Sequence, residues 1–357
     1  MTPSLSGTQQ HLRISPTESA VSKRFLRRFF LSIWSTKCCD LFNEAIGMGR
    51  LAAPCVLTRD EVSCMSDRIL NQITHWLVSV TLIEMMIAIG LSVSWNELIL
   101  VARNRRLIWV SLFTNYVCVP AATLVLVLML NSHPMISAGF LILAVCPGAS
   151  YGPPIAAFGN GKLPAALGLM VLLAGSSAIF APLLLHFLLP LLSAPGQVAI
   201  DLPKMLGVLM FSQFVPLCVG LALRHWLPQL TDKLRGPSKS LGVTLNILLV
   251  GWLLATHYSQ FDQVDPRGLL AMSALLLISL GTGWFLGGPT VEDRKTLALA
   301  TSLRNIGLSL VIATGSFPGT PAVTAILGYG LFEIVGSLLL AAWWHGHTVA
   351  IRPSTVG

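Results

Sequence analysis

The chain has 357 residues, 54% of them hydrophobic and only 11% charged, with a formal net charge of +8 and a mean hydropathy of +0.74. A soluble domain of this length is not so apolar, so the chain reads as an all-α polytopic membrane protein. The Lys and Arg residues are spread over several loops rather than gathered in one patch, which argues against a nucleic-acid partner and makes the charge topological information. The seven cysteines lack zinc-ligand spacing and read as inert thiols.

Residues 1–70 form a basic tail without an apolar run near the roughly 18 residues that a membrane span needs. Within it, Val21–Trp34 is basic and aromatic. Three readings of the tail stand side by side: a stretch lying on an anionic membrane surface, a transit-type presequence, or a start site placed too early, with Met65 as the true one. Nine apolar segments follow, over 74–93, 107–130, 135–158, 163–192, 204–224, 239–257, 268–287, 295–316 and 321–344. Loops after odd-numbered segments, together with the C-terminus, carry Arg103, Arg105, Arg106, Lys162, Arg224, Lys233, Arg235, Lys239, Arg294, Lys295 and Arg352, whereas the opposite loops carry Lys204 and Arg267. The positive-inside rule then puts the core N-terminus outside and the C-terminus in the cytoplasm, in a plasma or inner membrane. The resulting division is a tail over 1–70, a transmembrane domain over 71–345 and a short cytoplasmic tail over 346–357. Nine basic residues in the tail oppose that orientation, unless the tail is removed or translation starts at Met65.

Two segments carry sequences that a continuous helix tolerates poorly. The third contains Cys146-Pro147-Gly148-Ala149-Ser150-Tyr151-Gly152-Pro153-Pro154. Pro147, Pro153 and Pro154 remove backbone donors, and Gly148 and Gly152 favour a break. The eighth contains Thr301-Ser302-Leu303-Arg304-Asn305-Ile306-Gly307, with Gly307 taken as part of a second break. Unpaired backbone groups at membrane depth survive only when buried in protein or lining a watery cavity, and broken helices are where many secondary transporters bind solutes. Ser150 lies 28 residues before the middle of segment four (Ala178), and Asn305 lies 28 before Glu333 of segment nine. With opposite orientations for segments three and eight, this spacing points to an inverted repeat.

Intramembrane ionisable residues are functional-site candidates by default. Arg304 is the sharpest, either holding an anionic group or replacing a metal cation, with a structural pair to Glu333 or Glu84 as the plainer alternative. Glu84 reads equally as a proton-titrating group or as the partner of Arg304. Glu333 reads as structural. Asn115, five residues before Pro120, either coordinates a solute or bonds another helix.

In order and spacing, Ile89-Gly90-Leu91-Ser92, Asn115…Pro120, Cys146-Pro147-Gly148 and Arg304-Asn305…Leu308 resemble the bile acid:sodium symporter family. The resemblance covers residues 72–345. It implies inverted repeats, a panel domain, and a core domain whose two interrupted helices cross at the binding site. It also implies transport of organic anions, from steroid conjugates to small carboxylates, with sodium as the usual coupling ion. The chain departs from the family pattern at the sodium ligands. Gly152-Pro153 stand where the family has Ser-Asn. Ala300 replaces an acid, and Arg304 replaces a Gln. Ala166 and Met170 (or Met170 and Ala174, one turn on) replace hydroxyls. Only Asn115 and Asn305 keep side-chain oxygens, which is few for a hard cation.

These residues lead to a secondary transporter of a small organic anion, working by alternating access without a cofactor. Ser150, Tyr151, Gly152, Pro153, Arg304, Asn305, Asn115 and Glu84 form the candidate substrate site. The guanidinium of Arg304 is expected to stand in for sodium, leaving transport uncoupled or proton-coupled through Glu84. Three alternatives stay open: a sodium-coupled organic anion or bile acid symporter, an anion channel, and a sensor that binds the anion without moving it. No Gly-x-x-x-x-Gly-Lys-Ser/Thr or His-Glu-x-x-His motif occurs, so neither a built-in ATPase nor a metalloenzyme is expected.

Overall fold

The structure, a computed structural model, describes residues 59–130, 133–192, 201–261 and 266–351. The stretch Val21–Trp34 and residues 352–357 lie outside them. Twelve helices follow in order: α1 Arg59–Ser92, α2 Trp95–Arg103, α3 Arg105–Leu130, α4 Pro134–Ala144, α5 Gly152–Phe158, α6 Leu163–Leu188, α7 Leu202–Trp226, α8 Pro228–Phe261, α9 Pro266–Leu286, α10 Val291–Ser302, α11 Ile306–Ser316 and α12 Pro321–Ile351. Among the described residues there is no named β-strand, as the all-α reading requires.

Seven of these helices (α1, α3, α6, α7, α8, α9 and α12) are long and apolar enough to cross a membrane, and they fall on seven of the apolar segments. The other two segments are each split in two, as α4 with α5 and α10 with α11. The charges Lys233, Arg235 and Lys239, expected in a loop, ride instead on the first turns of α8. Pro228 at the start of that helix removes a donor that has no intrahelical partner there in any case.

Helix starts follow local chemistry. Asn104 caps α3 by accepting the Leu107 N–H at 3.1 Å, Asp201 caps α7 through Lys204 N, and Thr290 caps α10 through Asp293 N. Both α3 and α7 contain a π-helical turn, Thr114–Cys118 and Met210–Phe214, just ahead of Pro120 and Pro216. Proline cannot donate to the carbonyl one turn back, and the wider turn absorbs that missing bond.

Glycine sets the closest approach of α1 and α7. A Cβ on Gly90 would lie 2.6 Å from the Leu217 carbonyl oxygen, and one on Gly220 would lie 2.5 Å from that of Ile87. Helix α1 also meets α8, where Trp252 Nε1 donates to Thr74 Oγ1 at 2.9 Å. The two broken pairs run antiparallel to each other, with α5 beside α10 and α4 beside α11.

At the α5–α10 end, Lys162 of the α5–α6 turn pairs with Asp293 at 2.8 Å, and its N–H donates to Thr296 Oγ1 at 2.7 Å. Asp293 precedes the apolar segment 295–316 and lies at its aqueous edge. Burial alone would raise its carboxyl, but hydrogen bonds from Lys162 and Thr290 and the Lys162 charge outweigh burial and hold it below the usual carboxylate range. A depressed folded-state pKa stabilises above the unfolded-state value, and that stabilisation is lost as pH falls through the folded-state value. The pair is partly exposed, so Asp293→Asn is expected to cost less than about 1 kcal/mol at neutral pH. Thermal unfolding of both proteins in detergent should show the difference disappearing on acidification.

Candidate functional site

The two helix breaks meet. The first covers Val145–Tyr151 and the second Leu303–Asn305. Pro147 and Arg304 lie opposite each other in a short antiparallel bridge, in which Asn305 N–H donates to the Cys146 carbonyl at 2.8 Å. Each break thus supplies backbone partners that the other has lost, which is how irregular chain persists at this depth. Gly148 has φ +95°, a region other residues rarely adopt. Pro153 and Pro154 do not sit in the break. They occupy the first turn of α5, where a missing N–H is harmless, so they start a helix instead of stopping one. Gly307 is likewise helical, second in α11, and a Cβ there would make only ordinary contacts, at 3.6 Å and 3.7 Å. The residue that ends the second break is Asn305, whose Oδ1 caps α11 by accepting the Leu308 N–H at 3.0 Å.

Arg304 is 1% exposed. Its Nη1 donates to Asn115 Oδ1 at 3.1 Å and to the Ala144 carbonyl at 3.2 Å. Ala144 is the last residue of α4, whose end carries unpaired carbonyls and the negative pole of the helix dipole, so a cation is stabilised there. The π-helical turn holds Asn115, whose Nδ2 donates to Ser111 O at 2.9 Å, leaving Oδ1 turned to the guanidinium. Arg304 Nη2 and Asn305 Nδ2 are both buried with no acceptor.

The plainer alternative for Arg304, a pair with Glu333 or Glu84, does not form as an ion pair. Ion pairs join Lys162 to Asp293 and Arg224 to Asp232, and neither involves Arg304. Glu333, fully buried on α12, instead accepts the backbone N–H of Arg304 at 2.8 Å. Tyr151, which precedes α5, places its hydroxyl 2.7 Å from the Arg304 carbonyl and 3.1 Å from Glu333 Oε1. Ser150 and Tyr151 are half-buried, whereas Gly152 and Pro153 are buried.

Glu84 lies elsewhere. Its Oε1 accepts from Ser238 Oγ at 3.0 Å, and its carboxylate packs against Gly242, both on α8. The crossing therefore gathers Tyr151, Arg304, Asn305 and Asn115, leaves Glu84 aside, and adds Glu333. A polar residue every fourth position along an apolar helix, Tyr329-Glu333-Ser337, was the available signal, and Ser337 meets Ser302 of α10 at 3.1 Å.

Beside the first break lies a cavity of about 10 Å³, room for about one water. Gly152, Pro153, Ala166, Met170 and Ala300 are among its lining residues, and no side chain around it carries an oxygen.

The sequence profile of the Sodium Bile acid symporter family matches residues 79–264, just over half of the chain. The chain belongs to the sodium bile acid symporter family. Members of this family are transporters and not enzymes, so the chain is a multi-pass membrane transporter of the symporter type. Two curated relatives come from Arabidopsis thaliana, the probable chloroplastic sodium/metabolite cotransporters BASS1 and BASS3. The first is 22% identical over 277 residues, covering 75% of this chain and 67% of its own length. The second is 23% identical over 277 residues, covering 74% of this chain and 62% of its own length.

Proposed function

We propose that this symporter-family member is a secondary carrier of a small organic anion, bound at the crossing of the two broken helices and moved by alternating access. One observation carries the reading: adjacent residues, Arg304 and Asn305, present buried N–H groups with no acceptor. A buried donor left unpaired costs about 1–3 kcal/mol, and an anionic group supplies the acceptors that these donors lack. On this reading Ser150, Tyr151, Gly152 and Pro153 line the approach to those donors, and Asn115 fixes the guanidinium. The small cavity fits a closed state that must open for substrate to enter. The core N-terminus would lie outside and the C-terminus in the cytoplasm.

Sodium, which the names of both relatives carry, does not fit these residues. The cavity bordered by several positions that the family pattern gives to sodium ligands is lined by no side chain that carries an oxygen. Asn115 Oδ1 and the Ala144 carbonyl are taken by the guanidinium, and Asn305 Oδ1 by the Leu308 N–H. A hard cation needs several oxygens. The guanidinium of Arg304 therefore supplies the positive charge, and transport proceeds without sodium.

A thermal-shift screen of the full chain in detergent tests this reading, with pyruvate as a compact anion and taurocholate as a bulky one, each in sodium chloride and in choline chloride. Binding stabilises by about 2.7 kcal/mol at a hundredfold excess over Kd. A shift of equal size in both salts is expected. A shift that needs sodium would restore the sodium-coupled symporter, and binding without flux in proteoliposomes would leave a sensor.

A further inference from the structure

Glu333 is fully buried, and no cation touches its carboxyl, because the guanidinium of Arg304 turns to Asn115 and Ala144. An ionised carboxylate in that position would be a buried charge without an ion-pair contact, held by the Arg304 backbone N–H at 2.8 Å and the Tyr151 hydroxyl. The hydrogen bonds around it add a second constraint. The Tyr151 hydroxyl reaches both the Arg304 carbonyl, at 2.7 Å, and Glu333 Oε1, at 3.1 Å. A phenol has one proton, and a carbonyl can only accept. If the Tyr151 proton goes to the nearer carbonyl, the contact with Glu333 is a full hydrogen bond only when the carboxyl supplies the proton. With Glu333 protonated, the chain Glu333 to Tyr151 to Arg304 O is complete. With Glu333 ionised, Tyr151 has to donate to the carboxylate, and the Arg304 carbonyl is released.

Protonation thus changes the bonding of the residue that carries the guanidinium, inside the second break. Three elements are involved at once: Tyr151 precedes α5, Arg304 lies between α10 and α11, and Glu333 is on α12. The other groups facing this site are few. Tyr329 lies one turn earlier on α12 with Ser279 of α9 beside it, Phe140 of α4 packs on Tyr329, and Ser302 of α10 bonds Ser337. Tyr151 is half-buried. Oε2 of Glu333 is buried without a partner, so the proton that completes the chain sits on Oε1, against Tyr151.

We propose that Glu333 is the proton-binding site of this carrier and that Tyr151 transmits its protonation state to the crossing. The proposal rests on the carrier reading and names the proton as its coupling ion. One proton taken up with a monovalent anion on one side, and released with it on the other, moves no net charge. Buried acids in membrane proteins commonly serve such relays.

Infrared difference spectroscopy of the full chain in nanodiscs, titrated with acid in choline chloride, reads the proton directly. A carboxylic C=O band should appear as pH falls. It should be lost in Glu333→Gln, shifted in frequency in Tyr151→Phe, and unchanged in Glu84→Gln. A band that persists in Glu333→Gln, or a wild type with no titrating band while folded, overturns the proposal. If Glu333→Gln does not fold, Tyr151→Phe decides, since an unshifted band there overturns it too. A titrating Glu333 in a protein that answers to no anion leaves the proton site standing and defeats the carrier reading; an anion response without a titrating band does the reverse.

Discussion

Arg304→Gln should weaken anion binding by roughly 10- to 150-fold, the equivalent of about 1.5–3 kcal/mol for a charge-assisted hydrogen bond. The substitution removes the positive charge at the crossing and the unpaired Nη2 donor. Stability of the ligand-free protein should move far less. Two opposing effects explain this: the Asn115 Oδ1 and Ala144 acceptors lose a donor, while the cost of keeping a guanidinium away from water disappears. Arg304→Lys keeps the charge as a point on a flexible stem and cannot hold Asn115 and Ala144 while offering a further planar donor, so it should fall between the two. Isothermal titration of the anion that shifts the melting temperature would measure all three proteins. Equal affinity in wild type and Arg304→Gln would exclude the guanidinium from the site.

Gly148→Ala should be the most destabilising small change in the chain. Two independent penalties coincide at that residue. Its φ of +95° is strained for any residue with a Cβ, and a Cβ there would lie 2.5 Å from the backbone nitrogen of Ala174 and 2.9 Å from its Cα. Left-handed backbone costs about 1–2 kcal/mol per non-glycine residue and overpacking typically another 1–3, for a total of roughly 2–5 kcal/mol. The obstacle is the backbone of α6 and cannot rotate away. Thermal unfolding in detergent should show a large loss, whereas Gly307→Ala, with only ordinary contacts at 3.6 and 3.7 Å, should leave the protein almost unchanged. The comparison separates the glycine that makes the break from the one that merely follows it.

The long helices were legible from composition because a bilayer imposes its own thickness on the chain, so an apolar run of sufficient length has few alternatives to a helix. Both interruptions were legible for a related reason: Pro147 and Gly148, and the charge and amide of Arg304-Asn305, are poorly tolerated in a continuous membrane helix. The family resemblance rested on these landmarks together with Ile89-Gly90-Leu91-Ser92 and Asn115…Pro120. Function at the level of a symporter-type transporter followed from these features.

Pairing between distant residues was another matter. The sequence placed Arg304, Glu333 and Glu84 at similar depth and invited an ion pair, yet spacing along the chain carries no information on which way each side chain points. Packing turned Glu84 to Ser238 on α8, brought the Arg304 guanidinium to the end of α4, and gave Glu333 the Arg304 backbone instead of its charge. Pro120 accounts locally for the π-helical turn that carries Asn115, but only the packing of α3 on the second break brings its Oδ1 to the Arg304 guanidinium. Local chemistry decides where a chain breaks in the membrane. Only the crossing of two breaks, each filling the other's missing hydrogen bonds, decides which polar groups end up paired and which remain free for a ligand or a proton.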